Sequence, residues 1–284
     1  MTDIASSPAC TASRRAFLTR RNREKWMAWL RPVISISVPL LIWELASRLG
    51  WINSFLFPPP SQILTALWVQ AGPQGRPPYA IFYHVFASMM RIVIGVGLAL
   101  VVGTVVGMLI ALTAWGRAIF RPIISAIMPV PTLAWTPVLL LVFGIDNRTT
   151  ITVVLIATSF EIIYNVVAGL DMLSKRVFWV ARSMGASHTQ TFFKVIVPGV
   201  LPYLITGLRI GIGFAWRALI AAEMLAASSY GLGFMIFDAA EYFNIDIIFG
   251  GIMLIAILGL LLENVVLGRL EAATIKRWGV QVER

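Results

Sequence analysis

The sequence predicts an all-α integral-membrane fold of six transmembrane helices, with one long helical loop on the basic side of the membrane. Three observations predict it. Hydrophobic residues make up 58% of the chain and charged residues 13%, about half the charged share of soluble domains. At a mean hydropathy of +0.84, polar side chains are too few to cover a globule of 284 residues. Six apolar runs come close to the ~20 residues that a bilayer core of roughly 30 Å requires of a helix. Lysine and arginine collect in alternate connections between those runs.

The six predicted spans are residues 33–49, 85–113, 122–143, 149–170, 203–226 and 247–267. Backbone groups in hydrocarbon have no water partners, so spans of this kind are helices, and no run alternates as a barrel strand does. The first run is the shortest and extends back toward Trp26. Basic residues then set the orientation. Arg14, Arg15, Arg20, Arg21, Arg23, Lys25 and Arg31 precede the first span. Arg117 and Arg121 lie between the second and third, and Lys175, Arg176, Arg182 and Lys194 between the fourth and fifth. Arg269, Lys276, Arg277 and Arg284 follow the sixth. These are 17 of the 23 basic residues; the opposite connections hold Arg48, Arg76 and Arg148. The positive-inside rule places both termini and the 171–202 loop in the cytoplasm. The net charge of +10 is thereby read as membrane topology rather than nucleic-acid binding.

The first 25 residues read as a cytoplasmic tail, basic and disordered, rather than a cleaved leader, because the following apolar segment reaches spanning length without a small-residue cleavage site. On the other face, Phe55 to Ser61 holds three consecutive prolines, a stiff turn feeding a short helix with Ser61 as a candidate N-cap. Gly72, Pro73, Gly75, Pro77 and Pro78 then break it. This stretch is either an interfacial hairpin or part of a docking face for an extracellular partner.

The 171–202 loop is the richest in signals. Ser174 can cap a short helix running to about Met184. Gly185 suits the left-handed conformation that ends a helix and turns the chain. Ser187 and Gln190 have capping-box spacing for a second short helix. Pro198 and Pro202 punctuate the start of the fifth span. The expected product is a helix–turn–helix elbow at the membrane surface.

Ala181, Arg182, Ser183, Met184, Gly185, Ala186 and Ser187, followed by Val195, Val197 and Pro198, resemble the cytoplasmic coupling loop of ATP-binding-cassette importer permeases. That pattern runs Glu-Ala-Ala, three residues, Gly, nine residues, then two aliphatics flanking one residue, and Pro. Ala181, Gly185, Val195, Val197 and Pro198 fall at its spacings. Trp179 and Val180 stand at its Glu and first Ala, so the chain departs at the acidic position. Other pieces resemble the branch of this family that imports nitrate, sulfonates, taurine and bicarbonate: Phe57–Pro60, Arg121-Pro122, Pro129–Pro137, Phe143–Ile145, Thr206–Arg209, Ala221–Met224 and Gly231–Gly233. Together they cover residue 55 to the C-terminus.

The resemblance implies the type I importer permease fold, with residues 26–284 as the permease domain and the loop docking on an ATPase. It also implies a second copy of this chain, two ATPase subunits that bind ATP and Mg, and an extracytoplasmic substrate-binding protein. No cofactor is expected in this chain. The implied site is a bacterial inner membrane, with lipid around the helices, and the implied solute a small anion moved by alternating access.

Ionisable groups inside spans cost several kcal/mol (roughly) unless paired or facing water, so each is a functional candidate. Glu44, Arg91, Glu161, Arg209, Arg217, Glu223 and Glu263 qualify. Arg217 lies about 21 Å along the fifth span, at ~1.5 Å per residue. It could offer a favourable field to an anion, with Arg209, Glu161 and Glu223 as further pathway candidates. The competing reading pairs Arg217 with Glu223 or Glu161 as a structural bridge. Pro129, Pro131 and Pro137 are expected to interrupt hydrogen bonding in the third span and to supply a gating element. Gly95, Gly97, Gly103, Gly107, Gly207, Gly211 and Gly213 are expected at helix–helix contacts.

There is no Walker lysine loop for ATP hydrolysis and no G-x-S-x-G serine. With Cys10 alone, and His84 and His188 far apart, the sequence offers neither an internal disulfide nor a metal cluster. The alternative function is an ion-gradient-driven secondary transporter, with Glu161 and Glu223 as coupling groups; a scaffold without transport is the remaining reading. Such a carrier should show an internal repeat, and it would leave the long loop unexplained.

Overall fold

The computed structural model describes residues 31, 33–75, 77–227 and 229–263, and these are helical with no strand among them. The expected 1–25 tail and the end of the sixth predicted span lie outside the described residues. Contacts divide the chain into two compact units, Met1–Thr65 and Ala66–Arg284.

In the first unit, helix α1 covers residues 33–48 and a proline-stiffened turn leads into α2 (Pro60–Ala71). Ser61 is not the cap expected of it. Pro60 begins the helix, where its missing N–H costs nothing, and Glu44 of α1 supplies the acceptor. The Ser61 N–H donates to Glu44 Oε2 at 3.0 Å and its hydroxyl to Oε1 at 2.8 Å. Arg48 Nε holds the same carboxylate at 2.5 Å. A negative group at a helix N-terminus is favourable, which explains this ionisable residue without invoking transport. Ser47, buried, donates to the Phe57 carbonyl at 2.9 Å and fixes the turn.

The second unit is organised around α6 (Asn147–Met172), which packs between α3 (Ala80–Leu112) and α9 (Val197–Ala226). Small residues at four-residue spacing make this possible. Gly95, Ala99, Gly103 and Gly107 form one buried face of α3. A Cβ at Gly103 or Gly107 would stand 2.9 Å from Ile162 or Val166 of α6. On the other side of α6, a Cβ at Gly207 or Gly211 of α9 would meet Asn165 at 2.9 Å or Thr158 at 3.0 Å. Backbones therefore approach closely, and dispersion replaces the hydrophobic drive that is absent in lipid. Gly97 and Gly213 have open space instead of a neighbour. The buried hydroxyls of Thr149, Thr150 and Thr158 bond to backbone carbonyls. Outward, Phe86, Val93, Val101, Val105 and Leu109 of α3 remain exposed, a surface suited to hydrocarbon.

Three described helices are long and apolar enough to cross a membrane: Ala80–Leu112, Asn147–Met172 and His188–Ala226. The predicted 122–143 span is not one helix. It divides into α4 (Arg121–Ile127), a 3-10 turn (Thr132–Trp135) and α5 (Thr136–Phe143), and the two arms are bent by 97°. Pro129 and Pro131 sit in the break. Pro137 does not interrupt hydrogen bonding as expected, because it occupies the first turn of α5, where an N–H would have no partner in the helix anyway. Beyond α9, a helix that hydropathy did not reveal, α10 (Leu232–Glu241), precedes α11 (Ile245–Leu261). Leu232, Met235, Ile236 and Ala239 form its buried stripe, and Gly251 of α11 lets Ile236 approach.

Candidate functional site

Three groups of the expected functional residues take up defined structures: an elbow, a cavity and a buried polar clamp. The elbow begins at Ser174, whose hydroxyl accepts from the Arg176 N–H at 3.3 Å and caps α7 (Lys175–Ser183). Gly185 ends that helix with φ +74°. Its N–H bonds to the Arg182 carbonyl at 2.9 Å, and the Ala186 N–H reaches back to Ala181 at 3.0 Å. This paired closure places a left-handed residue at the position where glycine carries no Cβ penalty. Ser187 and Gln190 then form the expected reciprocal cap, at 3.2 and 3.0 Å, opening α8 (His188–Thr191).

The second short helix does not stop. It continues through a π-helical turn (Phe192–Ile196), in which the Val197 N–H bonds to the Phe192 carbonyl, and passes into α9. His188–Ala226 is one run of 39 residues. Pro198 and Pro202 lie within that run rather than ending it. Pro198 falls at the first turn of α9, just after the widened turn has already shifted the hydrogen-bond register.

The elbow has two faces. Leu173, Phe178 and Phe192 pack against the buried cluster of Ala99, Ile162, Val166, Ile196 and Val200. Outward, Trp179 is 74% and Met184 82% exposed, with Val177, Val180 and Phe193 beside them. Arg182, Ser183 and Ser187 are exposed as well, and Ala181 and Ala186 half-buried. Large apolar side chains on a polar loop mark a contact surface.

A cavity of about 630 Å³ opens where the broken helix faces α6 and α9. Pro129, Val130, Pro131 and Thr132 border it on one side, Ile156, Phe160, Glu161 and Tyr164 on another, and Trp135 and Phe214 complete it. Backbone irregularity beside a cavity is what lets prolines reside at membrane depth. Of the pathway candidates, Glu161 borders this cavity, whereas Arg209, Arg217 and Glu223 are not among its lining residues. Arg217, exposed on α9, lies over the Phe214 ring at 6.0 Å from its centroid.

The bridge from Arg217 to Glu223 considered from sequence is replaced by another pair. Glu223 has no exposed surface, and Arg91 Nη1 of α3 donates to its Oε1 at 2.7 Å. Ser88 Oγ lies 2.8 and 2.9 Å from the two carboxylate oxygens, and the Gly233 N–H donates at 3.0 Å. Arg91 Nε bonds to Asn147 Oδ1 at 2.8 Å. His84 Nδ1 lies against the backbone of Gly231, and the Leu232 N–H donates to Ser88 Oγ at 2.9 Å. The network ties α3, the start of α6, α9 and the 231–233 turn together. Six residues on one helix would have separated Arg217 from Glu223, a spacing that puts them on different faces. Sequence reading flagged Arg91 and Glu223 as ionisable but missed His84, Ser88 and Asn147, whose partners lie far along the chain.

Long apolar helices, a proline-lined cavity and an anchored elbow with an apolar outer face are the architecture of a helical membrane protein. The comparisons with known proteins name the class. Residues 99–279 match the family described as binding-protein-dependent transport system inner membrane component. The taurine transport system permease protein of Escherichia coli K12 is 37% identical over 86% of this chain and 90% of its own length. The bicarbonate transport system permease protein of Synechocystis is 33% identical, over 83% of this chain and 85% of its own. The nitrate import permease protein of the same organism is 32% identical, over 83% and 86%. The chain belongs to the binding-protein-dependent inner-membrane transport family. It is a transport permease of an inner membrane, a class that acts with an ATPase and a substrate-binding partner.

Proposed function

We propose that this chain forms half of the translocation unit of an ATP-driven importer, moving a small oxyanion-bearing solute of the sulfonate, nitrate or bicarbonate class by alternating access. Two copies assemble with two ATPase subunits and receive the solute from an extracytoplasmic binding protein. Each copy spans the membrane six times with both termini cytoplasmic, and residues 26–284 form the permease domain. The elbow is then cytoplasmic and seats on the ATPase through Trp179, Val180 and Met184, with Ala181, Arg182, Ser183, Gly185, Ala186, Ser187 and Pro198 setting its shape.

The single observation that carries this reading is mechanical. The elbow is clamped to the core by Phe178 and Phe192 and continues without a break into the helix that reaches the cavity at Phe214. From His188 to Phe214 the helix extends about 39 Å at ~1.5 Å per residue. A push at the elbow is therefore delivered to the cavity wall rather than absorbed in a flexible loop. The Pro129–Pro131 break is the compliant part on the facing side. The importer's ATPase should cross-link to a cysteine at Met184, in a Cys10→Ser background, with a yield that changes when ATP replaces ADP. A yield identical to that of a cysteine at Trp51, on the opposite predicted face, would contradict the assignment.

A further inference from the structure

At the root of the elbow an ion pair joins two helices that pack loosely. Asp171 lies in the last turn of α6, three residues before the Ser174 cap. Its Oδ2 is 3.0 Å from Arg121 Nη1 of α4. The C-terminal end of a helix dipole is negative and disfavours a carboxylate, so Asp171 gains nothing from its own helix. No residue of α4 is buried within the chain, and only Ile124 and Ile127 are half-buried. Ile124 packs beside Ile110, Ile163 and Val167. Among the described residues, Arg121–Asp171 is the only polar side-chain link between α4 and α6.

Beyond the pair the seam between the two helices opens. A recess of about 60 Å³ separates Ile124 and Ser125 of α4 from Tyr164, Val167 and Ala168 of α6, and Arg121 closes one side of it. Ser125 and Tyr164 also border the large cavity, so recess and cavity share a wall. Helix α4 therefore has one tethered end, an underpacked middle, and a far end at the Pro129–Pro131 break on the cavity. Pro129 lies eight residues beyond Arg121, roughly 12 Å at ~1.5 Å per residue. On that lever a tilt of ~10° about the tethered end moves the break by about 2 Å.

Resting on the importer reading, we infer that Arg121–Asp171 is the pivot on which α4 swings against α6 to widen and narrow the cavity at Pro129–Pro131. Asp171 stands where α6 passes into the elbow, so a push on the elbow displaces the pivot and the arm follows. Both are positioning residues, since neither borders the cavity. A partly exposed pair is weak enough to reorient without resisting the swing, and the proline break at the far end supplies the compliance.

The test uses the whole importer in proteoliposomes, with its own ATPase and binding protein, in a Cys10→Ser parent. Labelled 2-aminoethanesulfonate, nitrate and bicarbonate are each offered, and the solute that the parent carries is followed as uptake per ATP hydrolysed. Two cysteine pairs are read before and after treatment with a short thiol-to-thiol cross-linker, each serving as its own control. Arg121→Cys/Asp171→Cys loses the tether and should carry about two- to fivefold less solute per ATP, the worth of an exposed pair. Cross-linking restores the tether and should recover most of that loss. Ser125→Cys/Tyr164→Cys bridges the seam itself, and cross-linking should cut its uptake by on the order of tenfold, as when a gate is held shut. The inference is overturned if the untethered variant loses nothing, if the first cross-link lowers uptake further, or if the second leaves uptake unchanged. Failure of either pair to cross-link contradicts the packing on which the pivot rests and overturns it too. In all these cases ATP-dependent uptake by the parent leaves the importer reading standing. A parent that takes up none of the three solutes with ATP overturns the importer reading and this inference with it.

Discussion

At the scale of single residues, the Arg91–Glu223 pair is the ion pair with both side chains buried among the described residues. Glu223 has no exposed surface and is held by Arg91, Ser88 and the Gly233 N–H. Removing one partner of a buried pair leaves an uncompensated charge, whereas removing both is far milder. Arg91→Ala should therefore destabilise the detergent-solubilised protein by about 3–5 kcal/mol, and Arg91→Met with Glu223→Leu by clearly less; thermal unfolding of the two variants checks the order. If the double variant is the worse of the two, the pair is not the strut described here. Gly231 belongs to the same unit, since a Cβ there would lie 2.6 Å from Arg91 Nη1. The residue types were legible in the sequence, because ionisable groups inside apolar helices stand out. Their partners were not. Ser88 and Glu223 are 135 positions apart, and no local pattern encodes a contact of that range.

At the scale of elements, the elbow was readable because helix caps are local signals. Ser174, Gly185 and the Ser187–Gln190 pair announce their roles within a few residues of themselves, and each takes the expected geometry. The prolines were only partly readable. Pro129 and Pro131 break a helix, but Pro137 and Pro198 sit at first turns, where proline is compatible with the helix, and a π-helical turn precedes Pro198. Helix α10 escaped notice because its ten residues are too short to register as a span and are introduced by Gly231-Leu232-Gly233, which reads as a turn. Two expectations follow at this scale. Gly185→Val forces a β-branched side chain into a left-handed backbone at a cost of about 1–2 kcal/mol, and Gly185→Asn, which tolerates that conformation, should restore ATPase coupling lost in the valine variant. Gly103→Leu pushes α3 off Ile162 of α6 and should cost about 1–3 kcal/mol or prevent folding; Gly97→Leu, at a position with open space, should unfold within a degree or two of wild type, a contrast that thermal melting resolves.

At the scale of the whole molecule, the fold class follows from composition and the transport role from family membership. The elbow's exposed Trp179 and Met184 and the cavity's exposed Tyr164 and Phe214 are surfaces that an assembly would cover. Hydropathy located the long, uninterrupted helices directly, whereas over the third predicted span it averages across a 97° bend between two short helices, a break announced only by Pro129 and Pro131. In the assembled importer, truncating the elbow's apolar outer face should uncouple the ATPase without unfolding the permease, since those side chains do not pack in the core.

The most direct test of the central claim is co-purification from the native membrane, comparing wild type with Trp179→Ala/Met184→Ala. The account predicts an ATPase subunit present in about equal amount with the wild-type chain, lost from the double variant at unchanged melting temperature, as expected when apolar interface anchors are removed. An ATPase retained equally by both would contradict the elbow as its seat, and a wild-type chain that never brings an ATPase with it would contradict the importer.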